Sequence, residues 1–85
     1  MKLIWQGEDM PPGEAAGTPD AVLEALTDAV LAAYADHTRT TRAHLMLNVV
    51  APLRERLIRY GVPTVEAGGV WANQEGPVSV TARAD

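Results

Sequence analysis

The sequence predicts an α/β fold: a two-layer α+β sandwich with a mixed four-stranded sheet and two helices on one face. Three observations carry this. Short apolar alternations fall at 2–6, 43–50, 63–72 and 78–82. Thr18-Pro19-Asp20 opens a run with helical periodicity. Pro52 at one end, with Gly61 and Pro63 at the other, brackets a second, shorter helix. The resulting order is β-α-β-α-β-β.

The first strand is Lys2-Leu-Ile-Trp-Gln6, with Leu3 and Trp5 on one face and Gly7 to end it. Residues 8–17 hold Pro11-Pro12-Gly13 and read as a flexible loop. Thr18 can cap free amides, Pro19 suits the first helical position, and Asp20 suits the positive dipole end. Val22, Leu23, Leu26, Ala29, Val30, Ala33 and Tyr34 then form one stripe, predicting a helix over 19–36. Leu31 lies off that stripe.

Residues 43–50 admit two readings. As a strand, Leu45, Leu47 and Val49 face one way. As part of one long helix, the run would carry Pro52 in its interior, at a cost of about 3 kcal/mol. That penalty favours a strand at 43–50 followed by a helix at 52–60, with Pro52 in its first turn and Gly61 as its stop. Residues 63–72 read as a strand in which Gly68-Gly69 marks a bulge or a close approach of another backbone. Asn73-Gln-Glu-Gly76 reads as the turn into a last strand with Val78, Val80 and Ala82 inward. No internal repeat stands out.

The element order resembles that of the C-terminal domain of a translation initiation factor, of the TusA-like sulfur carriers and of the Alba-like chromatin proteins. The resemblance is one of order alone and implies architecture, not function. The Cys-Pro pair of the TusA-like proteins has no counterpart, because the chain has no cysteine. The basic surface of the nucleic-acid-binding families has none in a chain of net charge −4.

Eighty-five residues suit a single small domain spanning 1–85. The absence of cysteine excludes disulfides, thiolate metal sites and thiol nucleophiles. No window approaches the roughly 20 apolar residues of a membrane span, and Met1–Asp9 lacks the apolar run of a signal peptide. A cytoplasmic protein with no membrane partner is the expectation, and the alanine-rich composition suits a GC-rich bacterial or phage genome. Charge is segregated. Residues 1–38 sum to −6, residues 39–60 to +4, and the remainder to −2.

The stretch His37-Thr-Arg-Thr-Thr-Arg-Ala-His44 reads as the exit from the first helix and the entry to a strand. Its arginines could also clamp a phosphate or carboxylate. Arg39, Arg42, Arg54, Arg56 and Arg59 together are the candidate anion or nucleic-acid residues. Both tryptophans face inward by alternation, so no stacking platform accompanies them. His37 and His44 lack the spacing of a zinc pair. Ser79, the sole serine, has no nucleophile-elbow context. Glu8 and Asp9 sit on the expected loop, a poor catalytic platform. No metal, no cofactor and no catalytic residue is therefore assigned, and no enzyme is expected.

What remains is apolar side chains left outside the core. Ile4, Met46 and Val70 are expected to line the open sheet face, with Leu31 as a second patch; these are the interface candidates. The expected function is a small protein–protein interaction module, regulatory, adaptor or assembly protein, that self-associates as a homo-oligomer. The alternative is nucleic-acid or phospholigand binding through residues 39–59.

Overall fold

A computed structural model describes all 85 residues. It is an α+β fold with a four-stranded antiparallel sheet and two helices on one face. The strands are β1 (Lys2–Gly7), β2 (Met10–Ala16), β3 (Trp71–Glu75) and β4 (Val78–Arg83), in the spatial order β2-β1-β4-β3. The helices are α1 (Pro19–Ala33) and α2 (39–66). The chain thus reads β-β-α-α-β-β, not β-α-β-α-β-β. The sheet is wholly antiparallel rather than mixed, so no crossover between parallel strands exists. The resemblance in element order lapses with it.

Residues 8–17, expected as a flexible loop, are mostly strand β2, joined to β1 by a tight turn at Glu8-Asp9. Pro11 and Pro12 are tolerated because β2 is an edge strand and both fall where its register with β1 shifts, outside the paired positions. The register shifts between Trp5 and Gly7, an irregularity that fits the tight turn to the ladder. At the other hairpin the turn is Gly76-Pro77, with Gly76 at φ 55°, shorter than the expected four-residue turn.

The largest correction concerns 43–50, which is helical. Thr38 caps α2: its Oγ1 accepts the Thr41 N–H at 3.2 Å. Leu45, Val49, Val50, Leu53, Leu57 and Gly61 then recur on one buried face. The proline penalty is met by geometry. Before Pro52, Ala51 N–H reaches back five residues to Met46 O; before Pro63, Val62 N–H does the same to Leu57 O. Each widened turn makes room for a pyrrolidine ring that a regular α-helix would press against a carbonyl. The two turns lie eleven residues apart, each placed just before a proline.

Gly61 does not stop this helix. A Cβ there would lie 2.7 Å from Leu57 Cδ1 and 2.9 Å from Trp71 Cε3, so glycine lets Trp71 lie against α2. The stop is Gly68-Gly69. Gly68 has φ 85°, its N–H bonds Val65 O, and Gly69 N–H bonds Thr64 O, both at 2.9 Å. That is a Schellman cap, not a strand bulge.

The core lies between sheet and helices. Leu3, Trp5, Val78, Val80 and Ala82 face inward from the sheet, as the alternation predicts. Val22, Leu23, Leu26 and Val30 come from α1, with Tyr34 at its C-cap. Leu45 and Val49 reach this core from a helix, and Leu47 does not reach it at all: it is 72% exposed. No helix is long and apolar enough to cross a membrane.

The candidate surface on the helical layer

The expected apolar stripe on the open sheet face is not assembled. Ile4 does point to that face, opposite buried Leu3 and Trp5, among Lys2, Gln6, Glu14, Ser79 and Thr81. Met46 instead sits on α2 and packs partly against the core. Val70 lies in the segment between α2 and β3. One apolar side chain on a polar face makes no patch.

Apart from Val70, which is exposed in the segment between α2 and β3, the exposed large apolar side chains are on the helices. Leu47 and Ile58 are 72% and 48% exposed, and they are eleven residues apart on α2. Exposed Ala43 and Ala51 lie one turn to either side of Leu47. Leu31, 40% exposed, is the one interface candidate that joins this surface, from α1. Leu47 and Ile58 escape a sequence reading because alternation assigned Leu47 to the core. Only the helical register of 39–66 turns it outward.

Charge divides the same layer. Asp20, Glu24 and Asp28 run along one line of α1 at spacings of four. With Leu23, Thr27 and Arg54 of α2 they line an open groove of about 400 Å³. Asp20, Glu24, Asp28, Asp36, Arg39, Arg42 and Arg54 form no ion pair within 4.0 Å. Acidic α1 and basic α2 therefore lie side by side with these charges unpaired.

The five arginines do not converge on one site. Arg39 and Arg54 are separated by about 22 Å of helix at 1.5 Å per residue. Arg56 turns to the sheet and pairs with Glu75. Arg59 stands over the Tyr60 ring at 5.6 Å, with Glu55 at 3.9 Å. The stretch 37–44 is the entrance to α2, so Arg39 and Arg42 occupy its first turns. Cations there oppose the helix dipole and cost the helix a few tenths of a kcal/mol, about 0.3–1 at most. Nothing inside the chain offsets that cost with a partner. His44 Nδ1 lies 3.2 Å from Asn48 Nδ2, while His37 sits edge-on to Tyr34. No three His, Asp or Glu side chains gather in a way that could hold a metal ion.

Tyr34 is the buried polar exception. Its hydroxyl has no hydrogen-bond partner. Burial raises its pKa above the ordinary value, and the nearby charges of Asp9 and Glu8 push the same way. The folded state therefore holds this proton more tightly than the unfolded chain does. The stability tied to it is full below about pH 10 and is lost as the pH rises further. Tyr34→Phe removes an unsatisfied hydroxyl at constant shape. It is expected to raise stability by about 1 kcal/mol and to flatten the alkaline decline. Urea denaturation at pH 7 and pH 10.5 checks both.

Comparison of the chain with protein-family models, with curated proteins and with solved structures finds no match.

Proposed function

We propose that this chain is a small non-catalytic protein–protein interaction module, a regulatory, adaptor or assembly protein that self-associates. The observation that carries the reading is the exposure of Leu47 and Ile58 on α2, beside a helix layer with unpaired charge of both signs. A domain this small leaves a large share of its surface exposed, and covering such side chains is worth about 25 cal/mol per Å². The reading moves the interface from the open sheet face, which is polar, to the helical layer. Nucleic-acid or phospholigand binding has weaker support. The arginines are spread along α2, Arg56 is engaged by Glu75, and Tyr60 is the one exposed aromatic side chain near them.

Sedimentation equilibrium over a wide range of protein concentration and salt tests the proposal. A reversible homo-oligomer at micromolar protein is the expected result. A monomer throughout, together with salt-sensitive binding of a DNA or RNA oligonucleotide, would replace it with the arginine reading.

A further inference from the structure

We infer that the partner is a second copy of this chain, docked helical layer against helical layer about a two-fold axis parallel to the helices. The inference rests on the self-association reading and specifies its surface. A two-fold axis in that direction keeps each residue at its own level along the helices while exchanging sides. It therefore lays α1 of one copy over α2 of the other, twice.

The levels follow from the hairpin of helices. α1 and α2 are joined by the short segment 34–38 and run antiparallel across one sheet face. The groove sets their alignment only coarsely: Arg54 of α2 lines it together with Asp20, Glu24 and Asp28 of α1. Moving up α1 moves down α2, at about 1.5 Å per residue outside the two widened turns. Leu31, two turns above Glu24, then comes near the level of Leu47, two turns before Arg54. In the proposed dimer Glu24 and Asp28 of one copy come over Arg54 of the other. Leu31 meets Leu47, the most exposed large apolar side chain of the chain.

Three properties of the layer favour this occupant. Charge is complementary only when the layer meets itself with its sides exchanged; an axis across the helices would set acidic α1 on acidic α1. The residues brought together are those with no ion-pair partner in the chain. The area is also sufficient. The molecule measures 40 × 20 × 19 Å, so a long face is of the size needed for the roughly 800 Å² that each partner contributes to a complex of standard size.

The test is a charge exchange. One variant carries Glu24→Arg and Asp28→Arg, so both helices are basic. The other carries Arg42→Glu and Arg54→Glu, so both are acidic. All four positions are exposed, and circular dichroism first confirms that each variant folds. In sedimentation velocity each variant alone is expected to dimerise at least ten-fold more weakly than the parent chain. Mixed in equal amounts, the two should form a one-to-one heterodimer at least as tight as the parent dimer. Leu31→Lys provides a second route if either double variant fails to fold, and it should also yield a folded monomer. Dimerisation of either double variant, or of Leu31→Lys, at parental strength would overturn this surface while leaving self-association intact. Folded variants that stay monomeric on mixing would overturn it too. A parent chain that is monomeric at every concentration would overturn both readings.

Discussion

Leu53→Ala is expected to lower the unfolding free energy by about 2–5 kcal/mol, while Leu47→Ala should change it by less than about 0.5 kcal/mol. Both are leucines in the same amphipathic segment, and on α2 their surroundings are opposite. Leu53 is 1% exposed and among the most deeply buried side chains of the core. It follows Pro52, where the widened turn returns the helix to regular pitch. Truncating it leaves a cavity between α2 and the sheet. Leu47 points to solvent, so its truncation removes little from the folded monomer. A strand at 43–50 would bury Leu47 beside Leu45 and predict a comparable loss at both. Urea denaturation of the two variants, at a concentration where the chain is monomeric, therefore separates helix from strand. An 85-residue domain has a total stability of about 4–13 kcal/mol, so Leu53→Ala alone can populate the unfolded state.

The second large effect is at Trp5. Trp5→Ala is expected to cost about 3–5 kcal/mol. Trp5 sits on the central strand β1, opposite Val80 on β4 and Gly13 on β2. Its indole covers Gly13 so closely that a Cβ there would lie 2.6 Å from Nε1 and 2.8 Å from Cε2. Gly13 thus serves the sheet by lying under a tryptophan, and Gly13→Val should cost about 1–3 kcal/mol by overpacking. Thermal denaturation followed by circular dichroism checks both. A loss below about 1 kcal/mol for Trp5→Ala would mean that β2 is not paired over Trp5. Residues 10–16 would then be the loop that Pro11-Pro12 suggests on its own.

The fold class was legible because it depends on local patterns. Alternation at 2–6 and 78–82 turned Leu3, Trp5, Val78, Val80 and Ala82 inward, and they are buried as that pattern requires. Thr18-Pro19-Asp20 started a helix because capping and dipole chemistry act within one turn. Thr18 Oγ1 does accept the Ala21 N–H, at 3.2 Å. The division of charge along the chain was likewise readable, since it needs only a count.

Tertiary structure decided the rest, at the positions where a local rule met a non-local remedy. Pro11 and Pro12 argue against a strand until β2 is known to be an edge, and only pairing with β1 makes it one. Pro52 and Pro63 argue against a continuous helix until burial of Leu45, Val49, Val50, Leu53 and Leu57 against the sheet outweighs two widened turns. Gly61 looks like a stop until Trp71 packs against it. The same change of register carried the candidate surface from the sheet to the helices. In a strand, Leu47 shares a face with Leu45 and Val49; in a helix, it stands on the opposite side from them. The residues themselves determined a two-layer α+β chain with acidic and basic segments. Packing determined which apolar side chains were left outside, because burial is settled by the sum of contacts across the sheet and not by the periodicity of any one segment.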